Sequence, residues 1–268
     1  MYGEWLERVR QQGPLVHNIT NYVAMQFAAN TLLAAGASPV MAHAAEEVEE
    51  MAALAGALVL NIGTLEPAWV EAMVIAQASA THHGVPVVLD PVGVGATRYR
   101  TEVATRLLAT HPPLVVRGNA AEVSVLAGGA GVVRGVDAAS GGLPVAEAGA
   151  LARRLSGVVA ATGPVDIVTD GHKTARIENG DPWLSRVTAT GCSLSALVGA
   201  FVAVAHREEG ENGDTLMAVT AALVCFEVAA EQARGAARGP GTFHPALLDA
   251  LFHLNPADVD AAARVSWI

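Results

Sequence analysis

Short apolar runs recur along the chain at intervals that leave room for one helix between them. ALVLNIGT (57–64), PVVLDPVG (86–93), PLVVRGN (113–119) and VVAATG (158–163) are rich in β-branched and aliphatic residues, and each ends in a polar or glycine-containing turn. Between most of them lie helical patterns: EEVEEMAAL, EPAWVEAMVIAQASA, RTEVATRLLAT and PVAEAGALARRL. This alternation predicts βαβ units with right-handed crossovers and a parallel sheet buried on both faces. DIVTDG (166–171) and KTARIE (173–178) predict an antiparallel hairpin at a sheet edge. Upstream, the first dozen residues form a weakly amphipathic helix. GPLVHNITNYVAMQFAANTLLAAG then supplies a lead-in segment and a long Ala-rich helix ending at Gly36, and Ser38 to Met41 reads as a short strand. GGAGVVRGVDAASGG (128–142) has the composition of a mobile glycine-rich loop.

One stretch organises the rest. VTATGCSLSALVGAFVAV (Val187 to Val204) begins in a turn of small residues, Ala189, Thr190 and Gly191, and continues without a charge as a buried helix. Small side chains there let a ligand approach the backbone. The unpaired N–H groups and positive dipole end of the helix favour an anion such as a transferring phosphoryl group. Cys192 lies in that first turn, where a thiol pKa is expected to fall.

Composition narrows the picture. The 268 residues are 52% hydrophobic and 16% charged, enough for one large domain spanning 1–268 with no compositional break. A net charge of −10 argues against nucleic acid as a partner, so an anionic substrate would need a metal or local donors. Two cysteines, Cys192 and Cys225, are too few for a disulfide framework, and MYGEWLERVRQQ lacks the apolar centre of a signal peptide. Apolar runs such as LVGAFVAVA fall short of about 18 residues. The expectation is a cytoplasmic protein with no membrane span.

In parallel sheets the ligand site lies at the carboxyl ends of the strands. Asn61, Gly63, Asp90, Arg117, Asn119 and Thr162 occupy those ends and should share a rim with Gly191. Asp90 closes VVLD and precedes Pro91, which should present the carboxylate outward; Glu122 lies three residues after Asn119, one turn into a helix. Together they suit a hydrated Mg²⁺, which takes few carboxylates and several waters. A helix cap for Asp90 and a first-turn dipole partner for Glu122 are the alternatives the residues leave open. Arg117 ends a buried strand and wants an anionic partner, for which a nucleotide phosphate would serve. Asn18, Thr20 and Asn21 beside His17 are more polar groups than a helix cap requires.

HNITNYV (17–23), ASPVMAHA (37–44), NIGT (61–64), LDPVG (89–93), RGNAAEV (117–123), RGVDA (134–138), VTDG (168–171), ATGC (189–192) and GPGTFHPALLDAL (239–251) together resemble hydroxyethylthiazole kinase, the thiamin-salvage branch of the ribokinase-like superfamily. The likeness spans nearly the whole chain in order. It implies a three-layer α/β fold with a mostly parallel central sheet flanked by helices. It also implies transfer of the ATP γ-phosphoryl group to the hydroxyl of 4-methyl-5-(2-hydroxyethyl)thiazole, Mg²⁺ dependence, and a homotrimer with sites between subunits.

By the same resemblance Arg117, Thr162 and Gly191 fall on the ATP side. Met41, Ala189, Asn21 and Gly63 fall on the alcohol side, with Ala189 offering its backbone N–H at a position where some relatives carry Gly. Asp90 and Glu122 match the metal and phosphate positions. Cys192 matches the catalytic position, which in most of the superfamily is an Asp acting as general base; the Cys is a mark of the thiazole kinases. The competing readings are a kinase for hydroxymethylpyrimidine or pyridoxal, an ADP-dependent dehydratase of hydrated nicotinamide on the same fold, and an inactive nucleotide-binding regulator. The first two usually keep Asp where Cys192 stands, and the third would break the metal or anion site, whereas Asp90, Glu122 and Gly191 are all present.

Overall fold

The computed structural model describes residues 1–129, 145–209 and 214–268. Its centre is a nine-stranded sheet. The apolar runs become β3 (Ala57–Asn61), β4 (Val87–Asp90), β5 (Val115–Asn119) and β6 (Val158–Thr162), paired side by side in parallel. On one flank β1 (Leu15–Ile19) pairs with both β3 and β2 (Ser38–Val40), again in parallel. On the other, β7 (Asp166–Thr169), β8 (Thr174–Ile177) and β9 (Val265–Trp267) add antiparallel strands, giving the order β2-β1-β3-β4-β5-β6-β7-β8-β9.

Two expectations change here. The lead-in segment is itself a strand, β1, which takes in the first residues of HNITN and lies second from the edge, because its LVHNI residues are buried and complete the ladder between β2 and β3. The β7–β8 hairpin forms as predicted but is not the edge. The chain returns to lay β9 along β8, with Val265 opposite Ile177.

Successive residues of the parallel strands alternate between two cores, as a pleated strand buried on both faces requires. Val59, Val88, Val115, Val158 and Ala160 face one core; Leu58, Leu60, Val87, Leu89, Val116 and Val159 face the other. The first is covered by α1 (Tyr2–Gln12), α2 (Met25–Ala35), α8 (Thr190–Glu209), α9 (Thr215–Ala236), α10 (Pro240–His253) and α11 (Pro256–Ala262). The second is covered by α3 (Val48–Leu54), α4 (Pro67–His82), α5 (Arg98–Thr110), α6 (Ala120–Ala127) and α7 (Val145–Leu155). The result is the expected three-layer α/β arrangement.

Helix α8 crosses the centre of the sheet, packing on β1, β3 and β4 beneath and on α2 and α9 beside it. Gly199 permits this approach, since a Cβ there would meet Val59 Cγ2 at 2.6 Å. Phe201 of α8, Phe226 of α9 and Phe243 of α10 are fully buried, each burial contributing roughly 1.5–3 kcal/mol. Helices α8 and α9 contain apolar stretches of 18 and 22 residues, long enough to cross a membrane, contrary to the length expected from sequence. Their apolar surface is spent inside the protein: 78% and 83% of these stretches is buried. RGVDA and residues 130–142 of the predicted glycine-rich loop lie outside the described residues. The GPGTF turn has a local role. Thr242 Oγ1 accepts the Arg238 and Gly239 N–H groups, fastening the start of α10.

Candidate active site

The parallel register sets the rim. Asn61 lies opposite Asp90 across β3 and β4, and Asn119 opposite Thr162 across β5 and β6. From the Asn61–Asp90 pairing a hydrogen-bonded chain follows. Asn61 Nδ2 donates to Asp90 Oδ2 at 2.8 Å, and Asn61 Oδ1 accepts from Asn21 Nδ2 at 2.8 Å and from the Gly63 N–H at 2.9 Å. Asn21 Nδ2 also donates to Cys192 Sγ at 3.3 Å, while Asn21 Oδ1 receives the Ala24 N–H at the start of α2. Ser195 Oγ closes the chain on Asp90 Oδ2 at 2.7 Å. Asn21, Gly63, Asp90 and Cys192, four residues singled out from sequence, are thus one network. Gly63 must lack a side chain, for a Cβ would sit 2.5 Å from Asn21 Nδ2.

Asp90 does not point outward. It is buried to 1% exposure under the first turns of α8, because the Asn61 amide of the neighbouring strand and the Ser195 hydroxyl of α8 both donate to its carboxylate and hold it inward. Burial pushes its pKa up to about 6 against the opposing pull of Arg117, with Glu122 adding to the rise. Cys192 also departs from expectation. Its thiol pKa is raised, not lowered, first by burial and then by the negative charge of Asp90; hydrogen bonds from Asn21 and Asn61 and the charge of Arg117 offset this only in part. At neutral pH it is a thiol.

Arg117 lies between the two halves of the site. Its Nη2 donates to Thr162 Oγ1 at 2.7 Å, and its Nη1 is 4.0 Å from Asp90 Oδ2. Nε is buried without a hydrogen-bond partner. The guanidinium passes directly beneath Gly191, where a Cβ would fall 2.8 Å from Nη1. Glycine is required at that point so that the cation and the start of α8 converge. The first helical bond of α8 runs from the Ser193 N–H to Ala189 O, leaving the amides of Thr190, Gly191 and Cys192 ahead of it. Arg117, Thr162 and Gly191 are therefore grouped as expected.

Glu122 is more committed than the sequence suggests. One oxygen accepts the Gly93 N–H at 2.8 Å and the other the Asn119 N–H at 2.8 Å, while Asn119 Oδ1 accepts the Glu122 N–H at 2.9 Å. This is a reciprocal capping box, so the helix-start role and a ligand-facing role belong to the same carboxylate. Each oxygen keeps a second lone pair.

Ala189 has φ +67°, a left-handed backbone that suits glycine better than alanine. Met41 is half-buried just beyond β2 and packs against the core containing α8. Sequence reasoning left Ser195 aside. The signal available was its spacing, three residues after Cys192 and hence on the same helix face.

Comparison with known proteins agrees over the whole chain. The model of the hydroxyethylthiazole kinase family matches residues 6–257. A hydroxyethylthiazole kinase of Desulforudis audaxviator is 51% identical over 261 residues, covering 97% of this chain and 93% of that protein. The solved hydroxyethylthiazole kinase of Pyrococcus horikoshii superposes with a TM-score of 0.89 at 45% identity, covering 100% of this chain and 98% of the other. An ADP complex of Bacillus subtilis pyridoxal kinase shares the fold at a TM-score of 0.58 and 17% identity, covering 81% of this chain and 91% of that one.

Proposed function

The chain belongs to the hydroxyethylthiazole kinase family and phosphorylates the thiazole alcohol with ATP in thiamin salvage, and from that premise we propose which residues carry the reaction. The observation that supports the assignment is the unbroken chain Cys192–Asn21–Asn61–Asp90–Ser195, set beside Arg117 and the open amides of α8.

In this reading Arg117, Thr162 and Gly191 take the ATP phosphates. Asn21, Met41, Gly63 and the backbone of Ala189 take the alcohol, placing its hydroxyl near Cys192. The amides of Thr190, Gly191 and Cys192 receive charge on the transferring group as it moves in line to the hydroxyl. Such a transition state is loose, so position counts for more than base strength. The raised thiol pKa suits a Cys192 that orients the hydroxyl through its network more than one that removes the proton.

The donor set fits a hydrated Mg²⁺. Among the described residues no three His, Cys, Asp or Glu side chains converge into a cage, whereas Asp90 and Glu122 lie close enough for one charge to raise the other's pKa. An ion that keeps waters and phosphate oxygens in its shell needs no more from the protein. When bound, Mg²⁺ would neutralise phosphate charge; Asp90 and Glu122 would hold it, Glu122 through the lone pairs its backbone partners leave free.

We read residues 1–268 as one domain, since both cores share one sheet. A homotrimer with sites between subunits is supported by Tyr22 and Val23, which follow Asn21 directly and expose 55% and 59% of their surface at the rim. A cytoplasmic location is supported by the composition and by the burial of both long apolar helices. A coupled ADP-release assay offering the thiazole alcohol, hydroxymethylpyrimidine and pyridoxal tests the substrate. ADP release with the thiazole alcohol should exceed the other two, and a preference for either of them would overturn the assignment.

A further inference from the structure

Arg100 stands outside the residues assigned so far, yet its guanidinium is committed to both turns of the rim at once. It sits in the first turn of α5, where Thr97 Oγ1 accepts the Arg100 N–H at 3.2 Å and fixes the start of the helix. From there Nη1 donates to Ile62 O and Val92 O, each at 2.7 Å, and Nη2 donates to Gly63 O at 2.7 Å. Ile62 and Gly63 form the turn after β3; Val92 belongs to the turn after β4. Three carbonyls from two separate crossovers converge on one cation, and charge-assisted bonds of this length are the strong ones.

What hangs from those turns gives the arrangement its meaning. The first carries Asn61 and Gly63, whose side chain and N–H bind each other and hold Asn21. The second carries Asp90 and Gly93, and the Gly93 N–H anchors Glu122. Gly93 has φ +71°, and a Cβ there would approach Arg100 Cδ to 3.2 Å, so the turn is shaped around this side chain. The planar fork of Arg reaches carbonyls in two directions; the single ammonium of Lys does not.

We propose that Arg100 is a positioning residue for the kinase reaction, fixing the spacing between the alcohol-side turn at Ile62–Gly63 and the phosphate-side turn at Val92–Gly93. This rests on the functional reading above. It places a determinant of catalytic geometry in a side chain that touches neither substrate.

The test compares Arg100→Met, which keeps the apolar stem and removes every donor, with Arg100→Lys. A misplacement of about 1 Å costs on the order of 100-fold in rate, so Arg100→Met is expected to lose about that much kcat. Arg100→Lys should lose about 10-fold. Binding of a non-hydrolysable ATP analogue should stay within about threefold, since Arg117 and the α8 amides are untouched. Amide hydrogen exchange supplies a readout free of activity. Both turns, 61–64 and 91–93, should exchange faster in Arg100→Met, while β7 and β8 stay at the wild-type rate. If Arg100→Met does not fold, Arg100→Lys carries both measurements. Unchanged exchange in the two turns, or a kcat within about threefold of wild type in the variant examined, overturns the proposal. Faster exchange in both turns beside a wild-type enzyme that shows no alcohol-dependent ADP release would instead overturn the functional reading and leave Arg100 as the pin between the turns.

Discussion

Replacing Cys192 separates two roles that the family position leaves mixed. If the thiol were the general base, its loss would remove an effect of roughly 10² to 10⁴ in rate, or about 2.7–5.4 kcal/mol of barrier. The structure supports a smaller figure. The thiol pKa is raised by burial and by Asp90, which leaves little thiolate at neutral pH. Its structural loss is small too, because Asn21 Nδ2 keeps its 2.8 Å bond to Asn61 Oδ1 when the 3.3 Å contact to Sγ goes. What Cys192→Ser changes is the bulk and reach of the group that would orient the hydroxyl, since a serine oxygen still accepts, a cost of about 1.4 kcal/mol or 10-fold. Cys192→Ser should therefore retain about a tenth of kcat. Cys192→Asp places a carboxylate at the same helix start. Its carboxylate would gain the Asn21 amide, the nearby charge of Arg117 and the dipole of α8 against repulsion from Asp90, so activity should be kept or rise. Steady-state kinetics with the thiazole alcohol decide. An inactive Cys192→Asp enzyme that still binds ATP would refute the positioning account, because the thiol would then do something a carboxylate cannot.

Glu122→Gln should cut turnover by about 100-fold, since an amide presents an N–H where a backbone N–H needs an acceptor and offers no charge to a hydrated cation; wild-type turnover across a magnesium titration would remove the metal assignment. Met41→Ala should raise KM for the thiazole more than it lowers kcat, as a half-buried thioether supplies contact before and during reaction; an unchanged KM would make Met41 core packing only. Ala189→Gly should raise stability by up to about 1 kcal/mol in denaturant melts by relieving the left-handed backbone, and a clear loss would mean the strain is absent. Asp166 and Glu227 are buried together and their carboxyl pKa values are raised, chiefly by burial, with the charge of Asp166 raising Glu227 further. The folded state thus binds protons more tightly than the unfolded chain. Each group's contribution to stability is complete below its ordinary value, 3.8 for Asp166 and 4.5 for Glu227, and is withdrawn as pH rises through the raised values. Glu227→Gln should flatten that decline and raise Tm at about pH 8, and an identical pH slope in mutant and wild type would count against a raised Glu227 pKa.

The sheet was legible because its strands carry a period the sequence cannot disguise. Strands such as VVLD and ALVLN are apolar up to their last residue because both faces are covered, and Leu58 and Val59 do face opposite cores. Strand β1 was hidden because LVHNI holds His17 and Asn18, polar residues that resemble a loop until their burial is seen. β9 was hidden because three residues at the chain's end pair with a strand nearly ninety positions earlier, a contact no local pattern encodes. In the site, residue types at strand ends located Asp90, Arg117 and Thr162, but not orientation. That Asp90 turns inward depends on Ser195, from a helix about a hundred residues further on. The thiol pKa was misjudged for a related reason: the helix start lowers it locally, whereas burial and the Asp90 carboxylate raise it through the tertiary fold.

The remaining physical question is how a protein of net charge −10 attracts a triphosphate. Its acidic residues are not spread evenly toward the site. Asp90 is matched by Arg117 at 4.0 Å and by two neutral hydrogen-bond donors. Glu122 accepts two backbone N–H groups, and burial raises the carboxyl pKa values of Asp166 and Glu227. Each carboxylate at the rim is thereby held by donors of its own, while the α8 amides and the guanidinium under Gly191 converge on one point. The absent side chain of Gly191 permits that convergence, since a Cβ would lie within 2.8 Å of Nη1 and push the cation away from the helix start. In the proposed reading a phosphate meets local donors packed against one glycine, an arrangement that favours an anion whatever the overall charge of the chain.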